Sequence, residues 1–241
     1  MKLCVFFLFL AGLLGAKTGT EVEIAAEPHH KLVFANDRVR VLDVSIPPHS
    51  ETLMHVHRHD YIYVTLGKSR VVNAVKGKEP VQVELQDGQT GFLPGGFAHF
   101  ARNLADTPYR NVTVEFLQDE KFRQSHAHQD AAHAEEDRGL DILQGGTKEI
   151  LFVKDEVWVS EFDLQPHAVV PAQSPSHPVL LIPVSDLDLF TRDPRTHGPP
   201  EPDPSPYHLH AGESIWLAHG FARPLVNDSL HAVKFVTLEF R

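Results

Sequence analysis

Between Leu32 and Phe116 short apolar runs alternate with polar residues at a period of two: Val39-Arg40-Val41-Leu42-Asp43-Val44, Tyr61-Ile62-Tyr63-Val64-Thr65-Leu66, Val81-Gln82-Val83-Glu84-Leu85 and Val112-Thr113-Val114-Glu115-Phe116. Successive side chains of a strand point to opposite faces, so each run predicts a strand with at least one face in a core. Gly67-Lys68, Asp87-Gly88, Pro94-Gly95-Gly96 and Asp106-Thr107-Pro108 punctuate the runs. Many short strands separated by turn signals predict an all-β sandwich or barrel. From Gln118 to Gly146 the pattern gives way to charged residues, Ala and His, which reads as a solvated linker about one helix long. The alternation resumes at Lys148, interrupted by a Pro-rich loop from Asp193 to Pro206 that cannot pair inside a sheet.

The second half repeats the first. Phe34-Ala35-Asn36-Asp37-Arg38-Val39 aligns with Phe152-Val153-Lys154-Asp155-Glu156-Val157, and Pro48-His49 with Pro166-His167. Gly88 to Asn103 aligns with Gly212 to Asn227, and Val112 to Phe116 with Val236 to Phe240. The copies stand 118 residues apart at Val39 and Val157 and 124 apart at Gly88 and Gly212, so the second carries an insertion, placed in the Pro-rich loop. Two copies of one β domain are therefore expected, at 28–117 and 147–241, joined by the polar, His-rich linker 118–146.

Ahead of them, Lys2 leads into an apolar run from Leu3 to Leu14, followed by the small residues Gly15 and Ala16. A charged start, a short apolar stretch and a small-residue site mark a secretory signal peptide, and residues 1–16 are read as one. The run is too short for a spanning helix, which needs roughly 20 residues. Cleavage after Ala16 removes Cys4, the only cysteine, so the mature chain is expected to carry neither a disulfide nor a thiolate metal site. A secreted or periplasmic location follows.

Composition narrows the partners. With 42% apolar and 22% charged residues in 241, the chain can build packed cores; 22 Lys and Arg against 32 Asp and Glu give a net charge of -10. An acidic chain without a basic stripe suits no phosphate backbone, so no nucleic-acid partner is expected, nor a membrane once the signal is cleaved. The unusual count is 17 His. His126, His128 and His133 belong to the solvated linker, but others fall in a pattern.

His55-Val56-His57-Arg58-His59-Asp60 leads into the strand that ends at Gly67. On a strand His55, His57 and His59 share a face, and three imidazoles on one face can converge on one ion. Further on, Gly88, Pro94, Gly96, His99 and Asn103 fit G-x5-P-x-G-x2-H-x3-N, the glycines allowing a sharp turn before a strand that offers His99. Here the chain resembles the cupin superfamily, whose second motif this is. The first motif, roughly G-x5-H-x-H-x3,4-E-x6-G, is matched by His55, His57 and Gly67, while His49 stands where the leading Gly belongs and the glutamate spacing fails.

The resemblance covers nearly all of the mature chain and implies two tandem cupin-type jelly-roll β-barrels, with a metal inside the first held by His55, His57 and His99. For the fourth ligand, counting back from Gly67 gives Asp60; His59, on the face of His55 and His57, is the alternative, and water alone a third. Imidazoles with a carboxylate and open positions suit a divalent transition metal: iron, manganese, nickel or zinc. In the second copy Gln173, Pro175 and Arg223 replace the three imidazoles, so this degenerate barrel is expected to fold without such a metal site, as a filled structural barrel or with Arg223 holding an anion or an internal salt bridge.

Three functions fit. One is an oxygenase-like or isomerase-like enzyme acting on a small oxygenated molecule, with Asp60 or His59 as ligand or proton acceptor and Tyr61 and Tyr63 lining the substrate pocket. Another is a non-catalytic binder of metal or of a small-molecule ligand. The third is an interaction protein that builds a homo-oligomer, with the segment from Thr20 to Ile24 adding as a strand to a neighbour.

Overall fold

Alternating Val, Ile, Tyr and Phe favour extended backbone wherever the alternate faces can be buried, and strands fill the structure accordingly. This computed structural model describes residues 20–117, 139–172, 177–191 and 206–241. The N-terminal half contains β1 (Val22–Glu23), β2 (His30–Ala35), β3 (Val39–Ile46), β4 (His55–His57), β5 (Tyr61–Leu66), β6 (Ser69–Val75), β7 (Val81–Leu85), β8 (Thr90–Leu93), β9 (Phe97–Asn103) and β10 (Tyr109–Phe116). The C-terminal half contains β11 (Leu140–Lys154), β12 (Val157–Val170), β13 (Val179–Pro183), β14 (Leu187–Thr191), β15 (Pro206–Leu209), β16 (Ile215–Leu217), β17 (Leu225–Asn227) and β18 (Val233–Phe240). Among the described residues the one helical element is a short 3-10 turn, Ile24–Ala26, and no helix is long and apolar enough to cross a membrane.

The N-terminal barrel is two facing sheets, ordered β2-β3-β10-β5-β8 and β1-β4-β9-β6-β7. The second half repeats that order, with β11 on β12 and then β18-β13-β16 for the first sheet, and β17-β14-β15 for the second. Registers repeat too: Val112 lies opposite Asp43, and its repeat partner Val236 opposite Glu161, the partner of Asp43. The two halves are thus tandem jelly-roll barrels. They differ where β12 runs on to pair Val169 with Val226, fusing the sheets that the first barrel keeps apart.

The faces of the strands divide the work. On β3, Leu42, Val44 and Ile46 point into the N-terminal barrel, while Val39 and Val41 point out of it. The outward set, with Ile62, Val64, Val112 and Val114, meets Val157, Val159, Leu180, Ile182, Val236 and Leu238 in one core shared by the barrels. Each residue faces this core with its own repeat partner, so the barrels meet about a pseudo-twofold, as the subunits of an isologous dimer do. Glycines stand at this contact in left-handed backbone, Gly88 at φ 76° and Gly212 at φ 93°, where a side chain would be strained and a Cβ on Gly212 would also press on Leu66 at 2.8 Å.

The second motif's asparagine pins a loop in each barrel. Asn103 Nδ2 donates to the carbonyls of Ile46, Pro47 and Thr107, and Asn227 Nδ2 to those of Leu164, Gln165 and His231. Both asparagines are fully buried. The missing leading glycine of the first motif is also explained: His49 adopts φ 56° and its partner His167 φ 64°, a left-handed conformation that His tolerates better than most residues.

Two expectations need amending. Strand β11 begins at Leu140, inside the span read as linker, and pairs with β12 from Gln144 onward. The remainder of that linker with His126, His128 and His133, the signal-peptide span 1–16 and most of the Pro-rich loop lie outside the described residues. The segment from Thr20 to Ile24 does not stand free for a neighbour: Val22 and Glu23 pair in parallel with His55 and Val56 of their own barrel. That short strand completes a sheet edge which β4, only three residues long, would otherwise leave bare.

Asn103→Ala and Asn227→Ala should each lower stability by about 2–3 kcal/mol, because buried carbonyls lose their donor. Urea denaturation of the two variants is the check, and similar losses are expected from the two equivalent sites.

Candidate metal centre

Antiparallel pairing of β4 with β9 sets His55 directly opposite His99 and His57 opposite Phe97. His55 and His57, two residues apart on β4, point the same way into the barrel, and His99 meets them from the neighbouring strand. The ring centroids lie 4.5 Å apart for His55–His99, 5.0 Å for His57–His99 and 5.1 Å for His55–His57. From the facing sheet His30, the first residue of β2, brings its ring to 4.6 Å from His55 and 6.3 Å from His57. His30, His55 and His57 each place a ring nitrogen within 4.8 Å of the others.

Behind three of the rings an acceptor takes the Nδ1–H, and behind the fourth stands a carboxylate. The His55 Nδ1–H donates to the Leu53 carbonyl at 2.8 Å, that of His99 to Asn73 Oδ1 at 2.7 Å, and that of His30 to Glu27 Oε2 at 2.5 Å. His57 Nδ1 lies 3.4 Å from Glu115 Oε1, whose other oxygen accepts from Arg40. A proton held at Nδ1 leaves the Nε2 lone pair for a ligand, as in histidines that bind metals. His55 Nε2 and His99 Nε2 are indeed buried with no hydrogen-bond partner. Such orphans are costly unless something occupies them.

Burial keeps these rings neutral. It is the main cause that lowers the His55 pKa to about 3, with His30 nearby adding to it, and it holds His99 well below the usual histidine range. His57 is also lowered by burial, against the pull of Glu115. Burial works to raise the Glu115 and Glu27 carboxyls, but His57 and Arg40 around the first, and His30 with the Leu53 and His29 amides around the second, hold both below the usual range. The result is neutral imidazoles backed by ionised carboxylates, the protonation state that divalent metal binding requires.

The imidazoles open on a cavity of about 120 Å³. Its walls are apolar, from Val44, Ile46, Val71, Leu85 and Leu93, with polar atoms from Tyr61, Tyr63, Tyr109, Asn73, Asn111 and Thr113. No Lys, Arg, Asp or Glu lines it among the described residues. Tyr61 stacks on His57 with centroids 4.1 Å apart, and burial pushes the Tyr61, Tyr63 and Tyr109 hydroxyls up, so they stay protonated.

The structure therefore brings together His55, His57, His99, Tyr61 and Tyr63. Asp60 and His59 do not line the cavity. Asp60 lies past the end of β4, and its Oδ1 accepts the Gly95 amide at 2.7 Å. The His59 backbone packs so closely on Gly95 that a Cβ there would fall 2.4 Å from the His59 carbonyl carbon. Both residues belong to the turn that joins β4 and β5 to the glycines ahead of β9. The fourth imidazole is instead His30, and its partner Glu27, with Glu115, Asn73 and Tyr109, also escaped the sequence reading. A signal for His30 existed. Its repeat partner is Lys148, so all four imidazoles are replaced together in the second copy, by Lys148, Gln173, Pro175 and Arg223.

The second barrel has lost its cavity positions as well. Val44 and Asn111, which line the first cavity, have Phe162 and Phe235 as repeat partners, and these rings stack 4.7 Å apart in the middle of a buried cluster with Phe221. Among the described residues these two cavity-wall positions are filled by packed rings, and the core they join lies behind the shared interface.

A family model described as cupin matches residues 29–136. Oxalate decarboxylase from Lactobacillus farciminis, solved as a formate complex, superposes with a TM-score of 0.56 at 10% identity, over 86% of this chain and 78% of that one. A mutant of salicylate 1,2-dioxygenase from Pseudoaminobacter salicylatoxidans gives a TM-score of 0.56 at 9% identity, covering 85% and 72%. The coconut allergen cocosin gives 0.55 at 12%, covering 84% and 77%. Among curated proteins none matches the chain in sequence. Two enzymes and an allergen share this fold with the chain, so the fold alone does not choose an activity. By its motifs and the family model that matches it, the N-terminal barrel is a cupin with an imidazole site, and the second barrel repeats its fold without the imidazoles.

Proposed function

We propose that this is an exported cupin whose N-terminal barrel holds a divalent transition metal, iron, manganese, nickel or zinc, on His55, His57 and His99, and uses it on a small oxygenated molecule. One observation carries the reading: neutral imidazoles converge on a cavity with the Nε2 atoms of His55 and His99 buried and unpartnered. A divalent ion in this ligand set supplies a Lewis acid for oxygen atoms, and iron or manganese a redox centre besides. The apolar walls exclude water, and a volume of about 120 Å³ admits a molecule of only a few heavy atoms. Tyr61, Tyr63 and Tyr109, held protonated, offer hydrogen bonds to oxygen atoms of a bound molecule. Export is supported by the apolar run Leu3 to Leu14 before Gly15 and Ala16, and by the absence of cysteine beyond Cys4.

A specific observation favours a second reading, capture of metal or ligand without turnover. Among the described residues no carboxylate lines the cavity, since Glu27 and Glu115 are engaged behind the imidazoles and Asp60 at Gly95. A ready proton acceptor is therefore lacking. Turnover assays on metal-loaded protein separate the two readings.

Elemental analysis of the purified protein should find about one transition-metal ion per chain, and a His55→Ala, His57→Ala double variant should lose it. A metal-free wild type that takes up no added Fe, Mn, Ni or Zn sinks the proposal.

In the metal-stripped protein, stability should fall as pH drops below about 6.5, because unfolded imidazoles then take protons that the buried ones refuse. The loss should continue until His55 itself protonates near 3. Urea midpoints measured from about pH 8 to 4 should decline more steeply for wild type than for the double variant; equal slopes would mean that these rings titrate normally.

A further inference from the structure

The N-terminal segment, Glu21 to His30, is built as a clip over the imidazoles. Val22 donates its amide to the Met54 carbonyl at 3.0 Å, next to His55, and Ile24, 2% exposed, anchors the segment in the barrel core beside Leu42, Val44 and Ile46. Outside, Glu21 pairs with Lys76 and Glu23 with Arg58. After the 3-10 turn comes Glu27, whose side chain is wholly buried. Its Oε2 accepts from the His30 ring at 2.5 Å and from the His29 amide at 2.8 Å, while Oε1 accepts the Leu53 amide at 3.2 Å. The carbonyl of the same Leu53 receives the His55 Nδ1–H. One carboxylate thus reaches two imidazoles, His30 directly and His55 through the Leu53 peptide.

We propose that Glu27 is the positioning residue of the metal site, and that the clip it anchors supplies His30 as a fourth imidazole and sets the rate at which a bound ion leaves. This rests on the metal-site reading above. Without the clip, His55 loses the brace behind Leu53, and the face of the site toward His30 opens. Glu27→Gln puts an amide NH2 where an acceptor is needed, against the His29 N–H and the His30 ring. Glu27→Asp keeps the charge with a shorter reach.

The test is full-length protein loaded with Co2+, read by its visible d–d spectrum and by the rate of cobalt transfer to excess EDTA. Glu27→Gln and His30→Ala should release cobalt about 10- to 100-fold faster than wild type, the range seen when a ligand's hydrogen-bond partner is lost. Both should shift the spectrum, and Glu27→Asp should recover part of the slow release. The double variant Glu21→Gln, Glu23→Gln touches only exposed ion pairs and stays folded; it should release cobalt several-fold faster with the spectrum unchanged before release. Wild-type spectrum and release rate in His30→Ala and Glu27→Gln, or an unchanged rate in the exposed double variant, overturn the proposal while the metal site stands. A wild type that takes up no Co2+ overturns both.

Discussion

Everything in the N-terminal barrel answers to the cost of placing four imidazoles side by side in an apolar interior. A buried charge there would be prohibitive, and an unmade hydrogen bond costs about 1–3 kcal/mol for each buried polar atom. The barrel meets the first demand by keeping His55, His57 and His99 neutral, and the second by giving Nδ1 of His55, His99 and His30 an acceptor in Leu53, Asn73 and Glu27, and that of His57 a carboxylate neighbour in Glu115. Left without a hydrogen bond at the site are Nε2 of His55 and His99, which face a prospective ligand, and the His57 Nδ1 and Glu115 Oε1 pair, 3.4 Å apart. A protein that only needed to fold would fill this space, and the second barrel does so, with Phe162 on Phe235.

Duplication separates these tasks. Both barrels keep the asparagine that pins their loops, the left-handed histidine and the faces that build the shared core. The first keeps the imidazoles and the cavity they open on, where the second carries Phe162 and Phe235 at two of the wall positions. On β5 the two duties alternate residue by residue, Ile62 and Val64 going to the shared core and Tyr61 and Tyr63 to the cavity. The cavity wall is therefore backed by a packed interface rather than by solvent, which restrains a site whose own interior contributes little packing.

Most of this frame was legible in the sequence, because period-two patterning and repeat alignment report which residues face a core. His55, His57 and His99 were legible for a related reason: their spacing on β4 and β9 is local. The fourth imidazole was not. His30 reaches the site only because β2 pairs with β3 and its sheet faces β4, a relation of tertiary structure that no local spacing encodes. Counting from Gly67 pointed to Asp60, but counting locates a residue along a strand and not the direction of a side chain once the chain has turned. Glu27 was further hidden, just past a one-turn helix between two strands, where an isolated glutamate reads as surface.

The placement of charge constrains what such a site can accept. Four imidazoles add no negative charge around an ion, so its two positive charges are balanced only from behind, by Glu27 and Glu115, the latter shared with Arg40. The cavity walls carry no charge among the described residues, so an anionic oxygen entering the cavity would find its counter-charge at the ion and nowhere else. With a metal on the imidazoles, selectivity for charge would reside in the ion and its backing carboxylates, and selectivity for size and shape in the tyrosines and aliphatic walls. A fold shared with a decarboxylase, a dioxygenase and an allergen does not choose among ligands, so the ligand of this barrel is to be read from its own wall residues.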